Sequence, residues 1–282
     1  MGIRLGHNDY GKSRVRLLRV ARNADRHDIK ELNLAIRMEG DFETVHTVGD
    51  NSKVLATDTM KNTVYALAQQ KPIGSAEEFC RGLIEYFLAN NPPVRQVEVD
   101  AEEVLWTRMQ IDGSAHGSAF TRGDEKRTAM VKGSREGFTI RAGIKDLVVL
   151  RTTKSAFEGF IRDRYTTLKE DRNRLLSTGI LASWLYDGGT ITTDFNCTWE
   201  GARRTLLEIV ADHDSLSLQH TLYAMGEAVL QRFPTIREIR LSLPNKHYLL
   251  ANLSPFGLEN PSEVFIPTDE PHGLIEATVV RD

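Results

Sequence analysis

Between Ile29 and Gly40 the chain alternates, with Leu32, Leu34, Ile36 and Met38 on one parity and Asn33, Ala35, Arg37 and Glu39 on the other. A period of two predicts a half-buried strand. The run Val15–Ala21 precedes it across a polar turn, Arg22-Asn23-Ala24-Asp25-Arg26, so the two form an antiparallel hairpin. Then the period changes. Met60, Val64 and Leu67 fall at helical spacing after Ala56-Thr57-Asp58-Thr59, where Thr57 or Asp58 is the expected N-cap. A second helix opens with the capping box Ser75-x-x-Glu78, carries Phe79, Leu83 and Phe87 on one face, and stops at Asn90-Asn91-Pro92-Pro93. Alternation resumes from Val94 to Val99, and further strands are expected around Trp106, Ala129 and Phe138.

The second half repeats the plan. Asp146–Thr152 and Ile180–Tyr186 read as strands separated by a polar insertion. A helix carrying Leu206, Ile209 and Val210 follows, and another carries Leu218, Leu222, Met225 and Val229. Pro234 then leads into the alternating strand Ile239-Arg240-Leu241-Ser242-Leu243, which Pro244 should end or confine to a sheet edge. Pro93-Val94-Arg95-Gln96-Val97 and Pro234-Thr235-Ile236-Arg237-Glu238-Ile239 occupy equivalent places, which suggests tandem duplication. The expected fold is α+β: two modules, residues 1–143 and 144–282, with helices on one face of mainly antiparallel sheets. About four strands per half leaves open edges of the kind that self-association closes.

Composition narrows the function more by exclusion than by suggestion. A formal net charge of −3 over 282 residues gives no electrostatic case for nucleic acid or an anionic membrane. No stretch has the length of a signal-peptide core or a membrane span, and the chain ends Val-Val-Arg-Asp without a peroxisomal Ser-Lys-Leu tail, so a cytoplasmic protein is expected. Cys80 and Cys197 lie far apart without zinc or redox spacing and are expected to be reduced. The eight histidines are dispersed, and no phosphate loop, His-Glu-x-x-His or Gly-x-Ser-x-Gly occurs.

Polar groups tied to definite elements are the candidates for chemistry. Lys12 stands at the mouth of the first strand, although a solvated lysine is the commoner meaning of such a residue. Thr57 and Asp58 lie at a helix start, where backbone N–H groups and the dipole favour an anion; a plain cap is the alternative. Phe157 to Glu170, leading on to Arg174, mixes aromatics with charge; it reads equally as a solvated loop and helix with Phe157 and Phe160 tucked into the core. Leu218-Gln219 opens the last helix. Asn245 and His247 share one side of an extended segment, with Lys246 on the other, or else they form a hairpin corner.

Taken together these segments resemble the urate oxidase (uricase) family. The resemblance is carried by Tyr10-Gly11-Lys12, Ala56-Thr57-Asp58-Thr59-Met60-Lys61-Asn62-Thr63, Phe160-Ile161-Arg162-Asp163-Arg164-Tyr165-Thr166-Thr167-Leu168-Lys169-Glu170 and Ser242-Leu243-Pro244-Asn245-Lys246-His247-Tyr248. It spans essentially the whole chain. It implies two tandem tunnelling-fold modules assembled as a homotetramer around a barrel, with sites at subunit interfaces. The implied reaction is oxidation of urate by O2 to 5-hydroxyisourate, releasing hydrogen peroxide, without metal or organic cofactor.

By the same resemblance Arg174 and Gln219 hold the purine edge, Phe157 stacks on the ring, and the backbone of Leu218 adds a contact, with leucine where the family often has valine. Thr57 and the backbone of Asp58 hold the opposite side from a neighbouring subunit. Lys12, Thr57 and His247 form the proton relay, and Asn245 holds O2 and later water above the ring. Arg162, Asp163, Tyr165 and Lys169 brace the segment presenting Phe157 and Arg174. Two rivals stand beside this reading: a tunnelling-fold enzyme acting on pterins or GTP, whose zinc-ligand cluster this chain lacks, and a purine-binding module without catalysis.

Overall fold

The computed structural model describes residues 2–188 and 193–282. The chain divides into two compact units, Met1–Gly143 with Leu185–Asn196, and Ile144–Trp184 with Cys197–Asp282. In each, strands that follow one another in sequence pair with one another.

The first unit contains β1 (Tyr10–Arg22), β2 (His27–Gly40), a one-turn helix α1 (Glu43–Thr47), α2 (Thr57–Gln70), α3 (Ala76–Asn90), β3 (Val94–Ile111), β4 (Ser114–Ser134) and the start of β5 (Gly137–Arg151). The expected hairpin is present: β1 and β2 pair antiparallel with Leu17 opposite Leu32 and Val15 opposite Leu34. Leu32, Leu34, Ile36 and Met38 are buried, and β3 meets them with Ala101, Val99 and Val97. The apolar faces of α2 and α3 close this core through Met60, Val64, Leu83 and Phe87. The Ser75–Glu78 capping box is formed in both directions.

Two elements are longer than the local pattern indicates. Trp106 and Ala129 lie in the two arms of one hairpin, β3–β4, turned by Asp112-Gly113 with both φ angles positive (50° and 77°). That Asp-Gly pair is a strong hairpin signal that the strand reading passed over. Likewise the strands expected at Phe138 and at 146–152 are one continuous β5.

The second unit holds the rest of β5, most of β6 (Leu176–Tyr186), α4 (Phe195–Asp212), α5 (Leu218–Arg232), β7 (Ile236–Leu250), a short 3₁₀ turn at Ser254–Phe256 and β8 (Phe265–Val280). Leu222, Met225 and Val229 of α5 are buried, as are Ile239, Leu241 and Leu243 of β7. Pro244 does not end β7, which runs six residues further and keeps pairing with β8 on both sides of a register shift between Asn245 and His247. The proline is accommodated because Gly179 on β6 presents no side chain to its ring; a Cβ there would stand 3.2 Å from Pro244 Cγ. β8, rich in exposed polar residues, has little apolar periodicity and was not expected. Cys80 is buried, Cys197 exposed, and neither is in a disulfide. Among the described residues no helix is long and apolar enough to cross a membrane.

One buried ion pair carries a testable consequence for stability. Arg127 donates to Glu77 at 2.7 Å, to the Asn196 side chain at 2.7 Å and to the Phe195 carbonyl at 3.3 Å. The Glu77 side chain is wholly buried, and burial pushes its carboxyl above the usual range despite Arg127. An acid whose folded pKa is raised makes the folded state bind more protons than the unfolded chain. Stability is then lost as pH rises from the unfolded pKa through the folded one. Arg127→Met should lower stability by about 3–5 kcal/mol at neutral pH, since it strands a buried charge. The deficit should shrink at mildly acid pH, where Glu77 is neutralised, as urea unfolding at two pH values will show.

Candidate active site

The predicted site residues fall into two groups, one in each unit. In the first unit Tyr10, Gly11 and Lys12 open β1 opposite Met38, Arg37 and Ile36. Tyr10 packs edge-on against Phe42 and its hydroxyl accepts from the Leu55 backbone N–H at 2.8 Å, which ties β1 to the segment entering α2. Burial raises the Tyr10 phenol above its usual range, so it stays protonated at this contact. Gly11 has no substitute here, because a Cβ would collide with the Ile36 carbonyl. Lys12 follows, half-buried, at the point where the pairing slips before Val15 and Arg14 takes a positive φ of 56°.

The helix start differs from expectation. Its N-cap is Ala56, which offers no side-chain acceptor, and Thr57 and Asp58 are the first two helical residues. Asp58 does not turn back to cap because its carboxylate is engaged further along the helix, by Lys61 at 2.5 Å and Asn62 at 3.1 Å. The Lys61 hydrogen bond and charge chiefly hold that carboxyl below its usual range, and Lys12 adds a smaller electrostatic pull. Lys12 therefore lies within electrostatic reach of the α2 start. No side chain caps the first-turn N–H groups, so this end keeps its capacity to receive an anion.

In the second unit the polar insertion is a loop without helix, contrary to expectation; glycine and closely spaced Asp and Asn side chains favour turns over helix there. The loop is closed at its neck. Phe157 and Asp171 exchange backbone hydrogen bonds at 2.8 and 3.3 Å, and the Arg174 N–H donates to the Ser155 carbonyl at 2.9 Å. Phe157 and Arg174 thus emerge side by side, the guanidinium carbon 5.1 Å from the ring centroid. Phe160 stacks on Phe157 at 4.9 Å, and Arg162 lies over Phe160. Burial lowers the Arg174 guanidinium from its ordinary value, with Asp171 opposing, and its Nε is buried without a partner among the described residues. A buried, incompletely satisfied guanidinium calls for an acceptor.

The neck also reaches α5. Ala156 N–H donates to the Ser215 carbonyl at 2.7 Å and Ser215 N–H to the Lys154 carbonyl at 3.1 Å. The Ser215 hydroxyl donates to the Ser217 carbonyl at 3.0 Å, and Ser217 caps α5 through the His220 N–H. Leu218 is buried in the first turn and Gln219 beside it is exposed. Beneath them Arg151 donates to the carbonyls of Val210, His213 and Lys154. Ser155, Ser215 and Arg151 were missed by the sequence reading because each also acts on a segment remote in sequence; Ser217 was missed too, although a serine directly before an apolar-periodic helix is a local capping signal.

Of the predicted braces, Asp163 accepts from Tyr165 N–H and the Thr166 hydroxyl, a purely local turn, and Tyr165 is exposed. The longer ties are Glu158 with Arg172 at 2.8 Å and Glu170 with the Gly159 N–H at 3.0 Å.

On β7, Asn245 lies opposite Gly273 and His247 opposite Thr268, both half-buried. Between these pairs β8 makes an excursion, residues 269–272, opposite Lys246 alone. Lys246 faces that excursion and binds Asp269 at 2.7 Å. Among the described residues no cluster of three or more His, Cys, Asp or Glu side chains is placed to hold a metal ion.

An α+β chain of two units, each offering polar side chains poised for a small anion, defines the class. The comparisons define it further. The family description "Uricase" matches residues 8–132 and 140–276. The chain is 46% identical over 279 residues to the uricase of Arthrobacter globiformis, covering 99% of this chain and 90% of that protein. It is 40% identical to the uricase of Oryctolagus cuniculus, covering 96% and 93%. The crystal structure of the Arthrobacter globiformis uricase superposes with a TM-score of 0.93 at 45% identity, covering 100% of this chain and 96% of that one. The urate oxidase of Bacillus sp. TB-90 superposes with a TM-score of 0.86 at 25% identity, covering 97% and 100%. The chain belongs to the uricase family.

Proposed function

We propose that this chain oxidises urate with O2 to 5-hydroxyisourate and hydrogen peroxide, using a proton relay of Lys12, Thr57 and His247 and no metal or organic cofactor. Membership of the uricase family makes it a urate-oxidising enzyme. The observation that best supports the residue assignment is the Phe157–Arg174 pair: an aromatic face beside a half-buried guanidinium, whose buried Nε has no partner among the described residues, suits a flat anionic purine. Gln219 adds an amide on the adjoining helix start, and the Leu218 backbone flanks it. Thr57 and the Asp58 backbone receive the other edge at the uncapped start of α2.

Urate monoanion must lose a further proton before it gives electrons readily to O2. Lys12 takes that proton through Thr57 in this reading, and His247 returns protons to the peroxide. Asn245 holds O2 and then water over the ring. The electrons come from urate itself: two leave the purine, O2 and two protons become H2O2, and water supplies the hydroxyl of the product. The residues of the first unit and those of the second then serve one site across a subunit interface. The chain acts as a homotetramer of tandem tunnelling-fold modules, divided near residue 143. Exposed Leu249, Leu250, Ile266, Leu274 and Val280 on β7 and β8 give apolar surface of the kind such an assembly covers.

Metal-free protein in aerated buffer should consume urate and release one peroxide per urate, unchanged by chelator. Recovery only on adding zinc or copper would refute the cofactor-free route. Tight urate binding without peroxide would leave a purine-binding module instead.

A further inference from the structure

Asn245 occupies an unusual place in β7, because the ladder towards β8 is irregular beside it and a proline immediately precedes it. Towards β8, pairing passes from Asn245–Gly273 directly to His247–Thr268, and residues 269–272 lie outside the regular register. Towards β6, Pro244 immediately before it has no N–H to donate. The Asn245 side chain therefore leaves the strand at an irregular point of the ladder, where added ties to the neighbouring peptides matter for its direction.

One of those ties comes from a side chain. Thr178 on β6 is 1% exposed, and its hydroxyl donates to the Pro244 carbonyl at 2.9 Å. The same hydroxyl oxygen lies 2.8 Å from the carbonyl oxygen of Gly179 on its own strand, and its contact with Pro244 is the one that links β6 to β7. Gly179 is the residue that leaves room for the Pro244 ring. A matching contact comes from the other neighbour, where the Thr268 hydroxyl donates to the His247 carbonyl at 3.2 Å. The carbonyl before Asn245 and that of His247 are thus each held by a threonine hydroxyl.

We propose that Thr178 is a positioning residue for the oxygen side of the site, fixing the Pro244–Asn245 peptide and so aiming the Asn245 amide. This rests on the reading of Asn245 as the holder of O2 and water. Thr178 touches neither substrate; it acts only through the peptide plane that precedes Asn245. Loss of the hydroxyl removes its hydrogen bond to the Pro244 carbonyl and loosens that plane. Because urate is held by Arg174, Gln219 and Phe157, the effect should appear in the oxygen half of the reaction and not in urate affinity.

The test compares Thr178→Val, which keeps the branched shape without the hydroxyl, with Thr178→Ser, which keeps the hydroxyl, and with Asn245→Ala. Steady-state rates are measured with urate and O2 varied separately, per folded enzyme as judged by circular dichroism. Thr178→Val should lower kcat by about tenfold and raise the KM for O2 several-fold, the scale one buried hydrogen bond supports, with the urate KM within about twofold. Thr178→Ser should recover most of the loss. If Thr178→Val keeps both kcat and the O2 KM while Asn245→Ala is impaired, the positioning role is overturned and the role of Asn245 stands. If Asn245→Ala matches the parent, the reading of Asn245 fails and the inference with it. Should Thr178→Val not fold, Thr178→Cys, a weaker donor, must fall between parent and Asn245→Ala; parental kinetics for it would overturn the proposal.

Discussion

Replacing Lys12 with methionine should reduce turnover by about 10²-fold or more while moving the urate KM by no more than about threefold. Methionine keeps the length and apolar bulk of the stem, so the half-buried position beside the α2 start stays filled. What disappears is the group that takes a proton as urate becomes an electron donor. A general base contributes roughly 10²–10⁴ to rate, and it does so in the transition state, which is why kcat carries the loss. The fixing contacts of Lys12, namely the Tyr10–Leu55 hydrogen bond and the close Gly11–Ile36 approach, are untouched by the substitution. Kinetics across pH make the check: if mutant and parent turn over alike at every pH, Lys12 is a surface lysine.

The second large effect is expected at Arg174. Arg174→Ala removes a charge-assisted fork against the purine and uncovers one face of Phe157, so kcat/KM should fall roughly 10²-fold or more, mostly through KM. Arg174→Lys should rescue only part, since an ammonium cannot reproduce a planar bidentate contact. Mixing the two variants tests the interface. If Lys12 and Arg174 serve one site from different subunits, co-refolded Lys12→Met and Arg174→Ala chains should regain roughly a quarter of parental turnover, the random-mixing share of sites with both halves intact. If both groups belong to the same subunit's site, mixing restores nothing. The readout is activity of the mixture against that of each variant alone.

Legibility followed the range of the interactions. The alternation of Leu32, Leu34, Ile36 and Met38 is a local consequence of the strand repeat, and the structure buries all four. The Ser75–Glu78 box closes within three residues, so it too could be read and is formed. At Thr57–Asp58 local reading gave the right helix start and the wrong cap, because Lys61 and Asn62 compete for the Asp58 carboxylate. At Pro244 the general rule against proline inside a sheet gave the wrong outcome. The exception depends on Gly179, which lies 65 positions away by the difference of the two residue numbers. The neck of the loop carrying Phe157 and Arg174 was not legible for a similar reason: the Ser155 carbonyl accepts from the Arg174 N–H, Ser215 pairs with Lys154 and Ala156, and Arg151 donates to the Val210 carbonyl, all contacts between segments distant in sequence.

By itself, then, the sequence determined the periodicities, the helix order and the strands up to β7 apart from their extents, the repeat of the plan, and the polar residues available for chemistry, because each depends on side chains within a few positions of one another. Only the tertiary structure decided which of them stand together. The Phe157–Arg174 pair exists because backbone bonds close a loop neck around Ser155 and Asp171. The reach of Lys12 to the α2 start exists because Tyr10 ties β1 to Leu55. The setting of Asn245 and His247 exists because β8 departs from the regular ladder between their partners and Thr178 of β6 ties the Pro244 carbonyl. Such juxtapositions come from chain segments meeting across long loops, and no short-range pattern encodes them.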